Sequence, residues 1–381
     1  AESIRAYSGP PLFSFGFRPF FLFSAAWAAL AVPIWVASMT LGDGTVGGMD
    51  GRLWHIHEML FGYLAGVIAG FLLTAVPNWT GRLPVTGGWL AGLFGLWAAG
   101  RIAGFLPVSL AVPAAVIDSA FLVVFAGLIW REVLAAKNRR NLPVCLLVSL
   151  LAAANIAFHL RGVWPVFGPG GERAAVAVIT GLIALIGGRV TPSFTQNWTL
   201  ARGIKPGPTP FNRFDGAVLA LTGVALAAWA AAPWSTVTGG LMTLAGAANL
   251  ARLARWRGWL ARREPLVWIL HLGYAWVGIG LILLGLAALV PAAVPFTAGV
   301  HALTAGAMGV ETLAIMTRAT RGHTGRPRVA DRATTAIYLL ILSAATVRVC
   351  APFHPEWNAP LLALSATLWA LAFAGFVAAY G

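Results

Sequence analysis

The sequence predicts an all-α integral membrane protein of about twelve transmembrane helices, with both termini cytoplasmic. Three observations carry this. Of the 381 residues, 59% are hydrophobic and only 10% charged, whereas a soluble domain carries about a quarter charged residues. Long apolar stretches recur from residue 20 onward, with no stretch between them long enough for a soluble domain, so residues 1–381 read as a single polytopic membrane domain. The basic residues fall in alternate short loops between those stretches.

The spans run, in order, over residues 20–42, 54–77, 87–107, 110–131, 142–163, 173–196, 214–234, 238–256, 265–290, 296–318, 331–352 and 357–380. Each is near the roughly 20 residues that a helix needs to cross about 30 Å of hydrocarbon. The polar start, with Arg5 and Arg18, precedes a span too long for the apolar core of a signal peptide, so no cleavable signal is expected. All but six of the 26 Lys and Arg residues lie at the N-terminus or in loops after even-numbered spans; the six are Arg52, Arg101, Arg161, Arg173, Arg189 and Arg348. By the positive-inside rule those loops and both termini face the cytoplasm. Among the 17 tryptophans, Trp54, Trp79, Trp164, Trp234 and Trp357 fall at span ends, as interfacial anchors do. The net charge of +14 is distributed as topology signals, which argues against a nucleic-acid partner. Cys145 and Cys350 form no CxxC pair and lie near opposite faces, so they are read as small core residues rather than a disulfide.

The second and tenth spans echo each other. His57 is followed 23 residues later by Thr80-Gly81-Arg82, and His301 is followed 23 residues later by Thr324-Gly325-Arg326. Internal repeats are common in membrane folds.

Seven histidines form the main chemical inventory. His323 and His354 lie in loops; His55, His57, His159, His271 and His301 lie in or at the edge of spans. Intramembrane ionisable groups are costly and usually line a functional interior, and neutral imidazole is a common metal or haem-iron ligand. His55, His57, His159 and His301 share one level near the outer face, whereas His271 lies about 9 Å from the cytoplasmic end of its span by helical rise. His57 and His301, with His55 as the alternative on the second span, are the candidate haem axial ligands. His55, His159 and His271 are candidates for a second metal. The row Gly62, Gly66 and Gly70 suits either close helix packing or a flat ligand; by heptad count His55 and Glu58 share its face.

Buried carboxylates are few: Glu58, Asp118 and Glu311. Glu58 is expected in a metal site, on a proton path or paired with an outer-face arginine. Asp118 is expected to pair with Arg101. Glu311 is flagged for proton relay, and Glu58 and Glu311 are the catalytic candidates. Arg101, Arg161 and Arg348, near the outer face, are candidate partners for haem propionates. On the inner side Arg189, His323 and Arg326 belong to a cluster that reads as loop structure or as an anion or regulatory site.

Eight segments resemble the NnrS family: FSFGFRPFF (13–21), WHIHEMLFGY (54–63), GFLLTAVPNWTGR (70–82), GGRVTPSFTQNW (187–198), PLVWILHLGYAW (265–276), HALTAGAMG (301–309), MTRATRGHTGRP (316–327) and LWALAF (368–373). They occur in order across nearly the whole chain. The resemblance implies a bacterial inner-membrane protein tied to nitric oxide, denitrification and nitrosative stress, containing haem b and, in some descriptions of the family, copper. His55, His57, His271, His301 and His323 fall within the family's motifs, and His159 follows the similar segment ANIAFHL. Glu311 stands where the motif more usually has an apolar or hydroxyl residue. By analogy alone, the number of spans, the orientation and the level of the histidines also resemble the haem–copper oxidase catalytic subunit; the sixth and seventh spans, however, carry no histidine that could ligate copper.

The expected function is therefore a membrane haem protein that binds or processes nitric oxide, drawing electrons from an unidentified donor if it turns over. The rival readings are a secondary transporter, since twelve spans interrupted by Gly and Pro also describe carriers, and a membrane protein that delivers metal or haem.

Overall fold

The computed structural model describes residues 7–162, 164 and 168–381; Arg5 and Val163, the last residue of the fifth span, lie outside them. Among the described residues there are twelve long helices: α1 (Phe17–Thr40), α2 (Gly51–Thr80), α3 (Gly87–Ala103), α4 (Ala111–Ala135), α5 (Leu142–Leu160), α6 (Gly170–Leu200), α7 (Arg213–Ala231), α8 (Thr236–Ala254), α9 (Pro265–Leu289), α10 (Phe296–His323), α11 (Arg332–Cys350) and α12 (Asn358–Tyr380). Each coincides with one of the expected spans. Ten are long and apolar enough to cross a bilayer. The exceptions are α3, which has only 17 residues, and α8, which carries Asn249 and, in its last turn, Arg252. The described strands are two residues each, Thr45–Val46 paired with Met49–Asp50 in the loop before α2.

The chain groups into two compact units, one running to Ala175 and taking in Tyr380–Gly381, the other Val176–Ala379. In the N-terminal unit, α1 lies along the glycine row of α2. A side-chain carbon built on Gly70 would strike Phe20 and Phe21, one on Gly66 would strike Ser24 and Trp97, and one on Gly62 would strike Arg101, Glu58 and Trp27. The row is thus filled by neighbouring helices, the close-packing alternative, which leaves no room along it for a flat ligand. In the C-terminal unit, Gly239 and Gly246 of α8 meet Gly285 and Gly278 of α9, so the two backbones approach closely. Cys145 is buried as expected, but Cys350 is exposed at the end of α11; both are free thiols.

The echo between α2 and α10 extends further than the sequence revealed. His57 and His301 each immediately precede a seven-residue π-helical stretch, Glu58–Leu64 and Ala302–Met308. A shorter one, Ile183–Gly187, interrupts α6. Beyond the ends of these three helices stand Gly81, Gly203 and Gly325, with φ of 71°, 66° and 73°, at positions 122 residues apart each time. The other helices recur at intervals near this spacing: α1, α5 and α9 begin at residues 17, 142 and 265, α3, α7 and α11 at 87, 213 and 332, and α4, α8 and α12 at 111, 236 and 358. The helix starts therefore recur in three successive groups of four. Ile179, 122 residues after His57 and 122 before His301, stands where the second group would carry the histidine.

Candidate metal centre

Five side chains meet inside the N-terminal unit near one end of its helices. His57 and Glu58 come from α2, Arg101 from the last turn of α3, Asp118 from the second turn of α4 and His159 from the last turn of α5. The His57 ring is bonded at both nitrogens, Nδ1 to Glu58 Oε1 at 2.9 Å and Nε2 to Asp118 Oδ2 at 2.9 Å. His159 Nε2 reaches the same Asp118 oxygen at 3.0 Å, and Asn155 Nδ2 donates to it at 2.8 Å. Arg101 donates from Nη1 to Glu58 and from Nη2 to Asp118. Trp27 Nε1 donates to Glu58 Oε2 at 2.9 Å, and Ser119 Oγ to Asn155 Oδ1 at 2.8 Å.

Local geometry explains the convergence. Asn155 and His159 lie one turn apart on α5 and so share a face. Gly62 leaves room for the Arg101 guanidinium against α2, and the Trp97 indole one turn before Arg101 donates to the Gly62 carbonyl at 2.9 Å. Glu58, Arg101, Asp118 and His57 are all at most 5% exposed. Buried charges persist when they are paired and hydrogen-bonded. A ring bonded to carboxylates at both nitrogens is a double donor, as an imidazolium is. Two carboxylates then face one guanidinium and one imidazolium, and the formal charges cancel.

The ligand atoms of His57, Asp118 and His159 all lie within 4.8 Å of one another, the one such His, Cys, Asp or Glu group of three or more among the described residues. Two imidazoles and a carboxylate form a donor set that first-row transition ions favour. Asp118 Oδ2 accepts hydrogen bonds at the position such an ion would take. The Glu58–His57 bond is of the carboxylate–histidine kind that fixes tautomer and ring orientation at metal sites.

The sequence profile described as NnrS protein matches residues 11–381. The chain belongs to the NnrS family. No curated protein matches it.

In this NnrS protein the expected site residues fall in several places. His57, His159, Glu58 and Arg101 come together, and the anticipated pairings of Asp118 with Arg101 and of Glu58 with an arginine are both present. His55 lies elsewhere on α2, stacked on Trp35 with ring centroids 4.2 Å apart. Trp35 belongs to α1, the helix whose Trp27, Ser24 and Phe20 also line the Gly62–Gly70 row, so His55 packs on the face that the heptad count gave it. Arg161 leaves the site, pairing with Glu172 at 2.9 Å and covering the Phe158 ring.

The remaining residues belong to the C-terminal unit. His301 Nδ1 bonds to the Thr297 carbonyl at 2.8 Å. His271 is buried, with Nε2 2.8 Å from Thr195 Oγ1, and belongs to no group of metal-ligating residues among those described. Arg348 lies on α11 and shows no ion pair with a described residue. Glu311 packs on Gly273, and its buried Oε1 has no hydrogen-bond partner among the described residues. Arg326 donates to the Ala379 carbonyl at 3.1 Å, while Arg189 lies on α6 and His323 at the end of α10.

Asn155 and Trp27 were missed. Asn155 could have been found as the polar residue four positions before His159. Trp27 could have been found as a tryptophan within a span rather than at its end.

Proposed function

We propose that this NnrS family member is a multi-pass protein of the bacterial inner membrane, with cytoplasmic termini, that binds a redox metal at His57, His159 and Asp118 and uses it to bind or process nitric oxide. The observation that supports this reading is the buried His–Asp–His group held by Glu58 and Arg101. The donor set suits copper or iron as a small ion. A bound metal would supply a site where the diatomic gas coordinates. Around it, Glu58 orients the His57 ring through Nδ1. Arg101 and Asn155 hold Asp118 in place, and Trp27 and Arg101 hold Glu58. An ion held on Nε2 of both rings would need those nitrogens unprotonated, so uptake is expected to strengthen as pH rises.

A second reading, haem b ligated by His57 and His301, is favoured by their matching positions immediately before the two seven-residue π-helical stretches. The His301 Nδ1 bond to a carbonyl also favours the tautomer that presents Nε2 to a metal. The surroundings of His57 fit a porphyrin less well. Both of its ring nitrogens are taken by carboxylates, and the glycine row on its helix is filled by side chains.

Optical and electron paramagnetic resonance spectra of the purified, metal-loaded protein, before and after nitric oxide, test the proposal. The metal-centre reading expects a nitric-oxide-dependent change that is lost in His159→Ala and kept in His301→Ala. The haem reading expects a Soret band lost in both His57→Ala and His301→Ala. A protein that carries neither metal nor haem after loading, and that moves a solute across vesicles, would instead support a carrier.

A further inference from the structure

We propose that the cleft between α3 and α4 in the N-terminal unit binds one anionic phospholipid, with its phosphate on Arg82 and Arg131 and an acyl chain along α3. The cleft has a volume of about 880 Å³. Its walls are apolar for most of their length, formed by Trp89, Leu93 and Leu96 of α3 and by Val124 and Leu128 of α4. Its polar end is different. Arg82, just past the C-terminus of α2, and Arg131, on α4, both pair with the one carboxylate of Glu132. Arg82 Nε is 2.5 Å from Oε2, and Arg131 Nη2 is 2.8 Å from Oε1.

This arrangement carries a net positive charge and keeps donors to spare. Arg82 engages Glu132 through Nε, so both of its Nη groups are without a hydrogen-bond partner among the described residues. The Arg82 and Arg131 side chains are 44% and 60% exposed, whereas Glu132 is at 12%. The carboxylate thus splays two guanidinium groups outward at the mouth of an apolar slot. That is the charge pattern of a phospholipid in negative: phosphate at one end and hydrocarbon at the other. Basic pockets between membrane helices on the cytoplasmic side bind anionic headgroups in this way. The slot has room for a chain, since a side-chain carbon at Gly88 or Gly92 of α3 would meet nothing within 4 Å. Arg82 and Arg131 also belong to the arginine-rich loops that the positive-inside rule places at the headgroup level.

The test uses delipidated full-length protein in detergent. Native mass spectrometry reads the number of retained lipids, and thermal midpoints are followed as phosphatidylglycerol, phosphatidylcholine or inorganic phosphate is added. The wild type is expected to retain one phosphatidylglycerol and to gain stability from it at concentrations at least tenfold below those at which phosphatidylcholine acts. The triple variant Arg82→Gln/Arg131→Gln/Glu132→Gln, which keeps shape and removes the charges together, loses that preference. Arg139→Gln/Arg140→Gln, which removes positive charge elsewhere, keeps it. Gly92→Trp fills the slot without touching the charges and loses the retained lipid, so the test stands even if the triple variant fails to fold. Equal effects of the two lipids on the wild type would overturn the proposal. So would full retention in Gly92→Trp, or the same stabilisation from phosphate alone, which would indicate an anion site.

Discussion

Asp118 is the residue on which the metal centre converges. One of its oxygens receives His57, His159 and Asn155, and the other receives Arg101. Removing a partner from a buried ion pair leaves an uncompensated charge, at a cost of about 3–5 kcal/mol. Asp118→Ala is therefore expected to lower the thermal midpoint of the purified protein strongly, while His55→Ala, which only unstacks a ring from Trp35, lowers it little. Glu58→Gln keeps its shape but weakens the orienting bond to His57. Metal affinity should fall by about 10–100-fold, as for other partners that orient a ligand, measured by competition with a chelator. Glu311→Gln replaces a buried carboxyl whose Oε1 has no hydrogen-bond partner among the described residues, and is expected to leave stability unchanged or raise it. Away from the membrane, Asp331 caps α11. The Thr334 backbone N–H, the Thr334 hydroxyl and the Arg321 guanidinium hold its carboxyl down at about 2, below its ordinary 3.8. A depressed carboxylate contributes stability above its ordinary value and loses it as pH falls through the folded one. The stability gap between wild type and Asp331→Ala should thus be constant at neutral pH and close between about pH 4 and pH 2. With the side chain 56% exposed, the electrostatic part of the gap is small.

At the scale of elements, the π-helical stretches and the glycine contacts decide what each helix presents. Gly62→Ala should disturb both folding and the metal centre, because the added carbon meets Arg101 and Glu58. Gly92→Ala, with open space around it, should do neither. Gly81→Ala should cost about 1 kcal/mol through its left-handed backbone alone, since no atom lies near. Differences in unfolding midpoint among these three separate packing from backbone strain. The same features show how far the site was legible beforehand. Apolar runs placed every long helix, and the scarcity of intramembrane charge made Asp118 pair with Arg101 and Glu58 with an arginine. The partners of His57 were not legible, because Asp118, Asn155 and His159 come from helices distant in the sequence. The recurrence showed only as a two-helix echo, because the middle group has no histidine before its π-helical stretch and is marked by that stretch and Gly203.

On the proposed topology every one of the twelve helices crosses, an even number, and the positive-inside rule then expects both termini to be cytoplasmic. A fluorescent protein fused after Gly381 should therefore be bright, and an alkaline phosphatase fused there inactive; the reverse pattern would mean that α3 or α8 does not cross. The three groups of four helices also divide the work. The first carries Glu58, Arg101 and Asp118 with His57. The opening helix of the second adds Asn155 and His159, and the third carries His301 and Glu311 in a separate compact unit. The proposed metal centre depends above all on the pair of imidazoles that share Asp118. Metal content per polypeptide, measured on purified, metal-loaded wild type beside His57→Ala, His159→Ala and His55→Ala, addresses it most directly. One equivalent of copper or iron in wild type and His55→Ala, lost from both other variants, is the predicted result; full occupancy in His57→Ala and His159→Ala would contradict it.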